Sequence, residues 1–358
     1  MKYIVILGDG MADRPVPELG DRTPLQAAKK PNMDFFAKHG ELGLVKTVPD
    51  GISPGSDTAN LSVLGFDPKR LYTGRSPIEA VSMGVSLGDD DVAYRCNLVS
   101  LSDAERYEDK VMVDYSSDEI SSAEAAELIC AVNERLLSAD LARRLARAGA
   151  GARLRFHPGI SYRHCMVWNG GGLETKCTPP HDILERRVGD HLPKNGGDVK
   201  SGAGDGADGG AMNDADILNL LMKDSYEYLS EHEVNRERVR RGLLPANSIW
   251  LWGQGKRLAL PSFCGKYGLS GAVISAVDLI KGIGISAGLR SIEVEGATGV
   301  LHTNYEGKAT AALDALKSGC DFVYIHIEAP DECGHRYEIE NKVTSIEYID
   351  ARLIAPLL

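Results

Sequence analysis

Apolar and polar positions along the chain follow two different rhythms. Tyr3–Leu7 is an unbroken apolar, β-branched run that stops at Gly8-Asp9-Gly10, the signature of a strand buried on both faces that ends in a loop. The same texture returns late in the chain, where Ala272–Val277, Ser291–Val294 and Phe322–Ile327 read as strands and Leu279–Gly288 and Lys308–Ser318 have helical spacing between them. Near the N-terminus the pattern predicts a helix over Pro24–His39, a second strand at Gly43–Val48 and a helix starting at Ser56, with apolar Leu61, Val63 and Leu64 behind a polar start. Strands that alternate with helices imply a mostly parallel sheet with helices on both faces.

The middle of the chain differs. Ala93–Leu101, Arg153–Phe156, Arg163–Trp168 and Ser248–Trp252 read as strands, while Ser121–Ala148 and Ala215–Leu229 have helical spacing. Asn195–Asn213 is a Gly- and Asp-rich tract too poor in apolar groups to order itself, so a mobile loop is expected there. The simplest organisation is α/β: a discontinuous domain over residues 1–84 and 265–358 carrying an inserted α+β domain over 85–264.

Composition adds limits more than detail. The 358 residues suffice for two domains. A formal net charge of −11 argues against nucleic acid or an anionic membrane as the main partner, yet leaves room for a small anionic substrate gripped by local arginines. Seven cysteines without a CxxC pair resemble neither a disulfide framework nor a zinc module and point to a reducing cytoplasm. The opening apolar run is too short for a signal or a membrane span.

Candidate chemistry collects where predicted strands end, the place open α/β sheets put their ligands. Asp9 sits between glycines, which suits a turn and equally the close approach of a metal or phosphate. Its GDGMAD setting lacks the third glycine of a dinucleotide fingerprint. Asp331 and His335 are four apart and can face one divalent cation, or form a plain surface pair. Ser56, in the run GISPGSDTANL, serves either as an N-cap or as a nucleophile sharpened by a metal and facing a phosphate at the helix start.

These residues resemble the archaeal-type, cofactor-independent phosphoglycerate mutases of the alkaline phosphatase superfamily. ILGDGMAD, SPGSDTANLSVLGFDP, YTGRSPIEA, VAYRCN, GATGVLHTNYEGKA and HIEAPDECGHRYEIENKVTSIEYID carry the likeness nearly from end to end. The resemblance implies an alkaline-phosphatase-like fold. It also implies interconversion of 3- and 2-phosphoglycerate through a phosphoserine, with two domains closing over a small phosphorylated substrate. Two divalent metal ions are implied, manganese first, with zinc, magnesium or cobalt as alternatives, and no 2,3-bisphosphoglycerate. Asp9 and Ser56 would bind one metal and Asp331 and His335 the other, with Ser56 also accepting the phosphoryl group. A homo-oligomer is compatible with it.

Two departures qualify this. The family has further ligands, an Asp-His pair and another histidine, beyond the point where this chain reaches Leu358, so each metal site would be half supplied, with weak binding and low activity expected. No arginine follows Asp114, and Trp252 stands where some relatives offer one. This resembles a sister group proposed to act as homoserine kinases, which makes nucleotide-dependent phosphotransfer the alternative function; a metal-poor, non-catalytic binding protein is the other. For anion contact there remain Arg95 with Asn97, Arg163, His181 and Lys281. Each has a plainer use: a salt bridge for Arg95, a turn for His181, a helix cap for Lys281. Arg163 and His164 point to opposite sides of their strand, and Arg163 is the one chosen for the cleft.

Overall fold

The computed structural model describes residues 1–52, 54–147, 154–196 and 212–358. The chain divides into two units, one of Met1–Tyr72 with Leu258–Leu358, the other of Thr73–Arg257. The described strands are β1 (Tyr3–Gly8), β2 (Asp91–Leu101), β3 (Met112–Asp114), β4 (Leu154–His157), β5 (Arg163–Asn169), β6 (Thr175–Lys176), β7 (Lys194–Asn195), β8 (Ser248–Lys256), β9 (Gly271–Ile274), β10 (Arg290–Ser291) and β11 (Phe322–Ile327). No described helix is long and apolar enough to cross a membrane.

The first unit is built on a four-stranded parallel sheet in the order β1-β11-β9-β10. Side chains alternate along β11. Val323, Ile325 and Ile327 join the core with Ala309, Ala312, Ala315 and Leu353 under the Tyr305–Lys317 helix, while Tyr324 and His326 point the other way. Register then fixes what meets at the strand ends. Leu7 pairs with His326 and Gly8 with Ile327, and the Asp9 amide donates to the Ile327 carbonyl at 2.9 Å. A step of two along each strand therefore turns Asp9, His326 and Glu328 toward one face.

Two local expectations change. The helix expected over Pro24–His39 is two helices, Pro24–Ala27 and Pro31–His39, because Pro31 lacks an amide proton and keeps Lys30 out of helical geometry. The second begins with no cap of its own. Buried Asp350 supplies one from afar, accepting from the amides of Met33 at 2.7 Å and Asn32 at 3.3 Å. Gly43–Val48, expected as a strand, is irregular: Leu44 and Val45 lie in solvent and no neighbour pairs with the segment.

The second unit holds an antiparallel sheet in which long β2 pairs with β5 on one side and β8 on the other, β4 adding to β5 and β3 to the end of β2. Val92, Tyr94, Cys96 and Leu98 face a core closed by the Ser122–Leu136 and Asp214–Leu229 helices. The opposite face, carrying Ala93 and Cys165, packs against Ala80 of the Ser76–Ser82 helix. The helical stretch expected over Ser121–Ala148 is divided at Leu137, and Ala139–Arg147 forms the second helix. Most of the expected mobile loop, 197–211, lies outside the described residues.

Candidate active site

The strand ends of the first unit gather Asp9, Ser56, Asp331 and His335. Ser56 opens the Ser56–Val63 helix, with Gly55 as its N-cap, so the hydroxyl stands at the positive end of the helix dipole instead of being used to cap it. It is half-buried and hydrogen-bonded to the Asp9 carboxylate. The turn beneath it is fastened. Asn60 donates to the Ser56 carbonyl at 2.8 Å and accepts from the Tyr324 hydroxyl at 2.5 Å. Asp57 is engaged by the Tyr72 hydroxyl at 2.6 Å and itself accepts from the Thr58 amide.

Gly10 explains how the Asp9 loop comes so close to the third cluster. Its φ is +64°, and a β-carbon there would fall 2.5 Å from the Asp331 α-carbon, so any side chain would push Asp9 and Asp331 apart. Asp331 and His335 belong to one short helix, Ala329–His335, with carboxylate and imidazole 3.2 Å apart. Lys342 anchors the loop from the side through a 2.5 Å ion pair with Asp13.

Sequence reasoning passed over three side chains of this corner. His326 is wholly buried, its Nε2 3.2 Å from Asp9 and 3.4 Å from Glu328. Glu328 has one oxygen sealed from solvent with no hydrogen-bond partner. Lys308, also wholly buried, places its Nζ 3.1 Å from the His326 carbonyl. Signals existed: a histidine inside an otherwise apolar strand, an acid directly after it, and a lysine on the apolar side of an amphipathic helix.

The electrostatics match an acidic corner short of positive charge. Burial, then the charges of Asp9, Asp331 and Glu332, push the Glu328 carboxyl up to about 7. Burial and the neighbouring Asp9 also raise Asp331. Burial works to raise Asp9 as well, but His326, the Gly10 amide and the Ser56 hydroxyl outweigh it and hold the group below its ordinary value. Burial lowers Lys308 to about 8 despite the favourable charge of Glu328.

The remaining candidates lie elsewhere. Lys281, in the Asp278–Ser286 helix, is paired to Glu293 at 2.8 Å. In the second unit Arg95 pairs with Glu79 at 3.0 Å and lies 4.3 Å over the Trp252 ring. Asn97 is buried with both ends of its amide used, donating to the Tyr115 carbonyl and accepting from the Trp252 indole. Arg163 is exposed beside Tyr162, while His164 is buried on the other side of the strand. His181 lies 5.4 Å from the Trp252 ring and 6.0 Å from that of Tyr115. Arg95, Arg163 and His181 thus share one aromatic-lined patch. Asp114 spends its carboxylate on its own turn, accepting from the Ser116 hydroxyl and amide and the Asp118 amide.

Comparison with known proteins places the chain in a family. Residues 37–235 match the family model of 2,3-bisphosphoglycerate-independent phosphoglycerate mutase. A probable 2,3-bisphosphoglycerate-independent phosphoglycerate mutase of Geobacter sulfurreducens is 50% identical over the whole chain, which covers 82% of that protein. The mutase of Methanothrix thermoacetophila is 49% identical, again over the whole chain and 81% of its own length. Among solved structures, a Pyrococcus horikoshii protein superposes with a TM-score of 0.74 at 28% identity, covering 99% of this chain and 77% of that one. The cofactor-independent phosphoglycerate mutase of Thermoplasma acidophilum gives 0.57 at 29%, covering 98% and 84%. The chain belongs to the family of 2,3-bisphosphoglycerate-independent phosphoglycerate mutases.

Proposed function

We propose that this protein interconverts 3-phosphoglycerate and 2-phosphoglycerate by passing the phosphoryl group through Ser56, with no 2,3-bisphosphoglycerate taking part. The observation that carries the reading is Ser56 itself: a reachable hydroxyl at a helix start, bonded to a carboxylate and backed by a half-buried cluster of acids. Family membership supports the substrate pair.

The donor set fits divalent metal ions, since a sealed, unpartnered Glu328 oxygen beside Asp9 is what a missing cation would satisfy. Asp9 with Ser56, and Asp331 with His335, are the residues that would hold them. When bound, such ions lower the pKa of a coordinated hydroxyl and neutralise phosphate oxygens. The chain's own residues do the rest. Asp9 orients the Ser56 hydroxyl and accepts its proton's hydrogen bond. The helix start favours the incoming dianion. Lys308 brings positive charge to the corner from below. In the first half-reaction the Ser56 hydroxyl gives up its proton as its oxygen forms a bond to phosphorus, the bond from phosphorus to the glycerate 3-oxygen breaks, and that oxygen takes up a proton. In the second, the 2-hydroxyl attacks phosphoserine, gives up its proton and regenerates Ser56.

On the second unit we assign the anion grip to Arg95, Arg163 and His181, with Asn97 holding Trp252 and Tyr115 in place and not touching substrate. Lys281 is committed to Glu293.

Incubating the protein with 3-phosphoglycerate alone, and separately with ATP and homoserine, tests the reading. Formation of 2-phosphoglycerate without nucleotide is expected. Product only in the second mixture would replace the mutase with a kinase.

A further inference from the structure

Three ligating atoms at the strand ends lie within 4.8 Å of one another: a carboxylate oxygen of Asp9, Nε2 of His326 and a carboxylate oxygen of Glu328. One comes from β11 (His326), one from the residue just past it (Glu328) and one from the residue just past β1 (Asp9), and the Leu7–His326 register brings them together. We propose that Asp9, His326 and Glu328 hold one divalent cation, with His326 its nitrogen ligand. The proposal rests on the reading of this corner as a metal-assisted phosphotransfer site, and it adds two ligands that neither the motifs nor the family resemblance names.

The argument starts from the histidine. Nδ1 of His326 lies 3.3 Å from the Ser275 hydroxyl, which fixes the ring and aims Nε2 between the two acids. A proton on Nε2 can be donated well to one carboxylate only, and the Glu328 oxygen is indeed left without a donor. With the proton on Nδ1 instead, a lone pair faces two carboxylates. Neither arrangement satisfies all three groups, and the unpartnered Glu328 oxygen is out of solvent's reach. One cation does, because it accepts a lone pair from each. The outer bond from Nδ1 to a hydroxyl is the support that metal-bound histidines ordinarily have.

The donor set also selects among cations. One imidazole nitrogen with two carboxylate oxygens suits manganese, cobalt or zinc better than the all-oxygen preference of magnesium or calcium. Burial separates this histidine from the motif histidine: the His326 side chain has no exposure, whereas that of His335 is 76% exposed. A buried imidazole is already desolvated and oriented before the ion arrives.

Metal-stripped protein titrated with manganese(II) alone, followed by calorimetry and by pulsed electron paramagnetic resonance, tests this. A nitrogen coupling to bound manganese is expected; it persists in His335→Ala, where His335 can no longer supply it, and disappears when His326→Gln is added to that variant. Glu328→Gln keeps the side-chain shape, removes the carboxylate charge and is expected to weaken manganese binding by about 10-fold or more. Unchanged affinity in Glu328→Gln, or a nitrogen coupling in His335→Ala that is indifferent to adding His326→Gln in a protein with native circular dichroism, overturns the proposal. So does an unaltered protein that binds no manganese. The readout is independent of turnover: manganese held by these ligands in a protein that leaves Ser56 unphosphorylated would sink the catalytic reading and keep the site.

Discussion

The strand-end corner of the first unit and the aromatic patch of the second are both rich in charge, but they treat it in opposite ways. At the patch, polar groups are matched: Asn97 uses both ends of its amide, Arg95 has Glu79 and the Trp252 face, and Asp114 closes its own turn. At the corner Asp9, Glu328 and Asp331 crowd together, one Glu328 oxygen has no partner and its carboxyl is driven up to about 7, by burial first. Saturated hydrogen bonding makes a rigid surface that can present Arg95, Arg163 and His181 in fixed positions. Unsaturated bonding of clustered carboxylates stores a demand for a cation. The difference separates residues that build a site from those that do its chemistry.

Substitutions should follow that division. Ser56→Ala removes the acceptor, so kcat falls by on the order of 10⁴-fold or more, while the unfolding midpoint stays at the parent value; retained turnover would remove Ser56 from its role. Asn97→Leu breaks the patch instead. It leaves the Trp252 indole and the Tyr115 carbonyl without their partner and costs about 1–3 kcal/mol of stability by urea denaturation, with a far smaller effect on kcat than Ser56→Ala. A larger loss of kcat than of stability would place Asn97 on the substrate.

His164 supplies a pH test inside the scaffold. Burial pushes its imidazole down to about 3, well under the ordinary 6.5. Below pH 6.5 the unfolded chain takes a proton that the folded chain refuses, so stability falls as pH falls through that window. At pH 5 the deficit is about 2 kcal/mol, and His164→Gln should recover it relative to pH 7 while still accepting from the Gly159 amide, the partner of Nδ1. Equal pH dependence in parent and variant would mean the site is wetter than its burial suggests. The smallest change is expected from Lys281→Met. Its partner Glu293 is 75% exposed, and breaking such a pair shifts stability by less than about 0.5 kcal/mol, with kcat/KM near the parent value. A large fall in kcat/KM would return Lys281 to the substrate.

Legibility of the fold tracked how local the determining physics is. Phe322–Ile327 announced itself because a strand buried on both faces reads as a continuous apolar run; Tyr3–Leu7 carries the same run, although its strand stands at the end of the sheet order and is only half-buried. Gly43–Val48 carried the same residue types and formed no strand, since nothing pairs with it, and pairing is invisible in a local pattern. Pro31 could have divided the Pro24–His39 helix on sequence alone. In the site, Asp9, Ser56, Asp331 and His335 stood out because loops rich in glycine and polar groups expose them. His326, Glu328 and Lys308 did not. Their meaning depends on β1 lying beside β11 in one register, a contact between residues 317 apart in sequence, and on a helix bringing an ammonium against the strand end from 18 residues away, neither of which a short motif encodes.

The central claim concerns one covalent bond, and it can be observed. Protein mixed with 3-phosphoglycerate carrying a labelled phosphate, quenched in acid within a turnover and mapped by peptide mass spectrometry, should carry the label on Ser56, with none on the Ser56→Ala variant. Turnover in the parent protein with an unlabelled Ser56, or with label on another residue, would contradict the account.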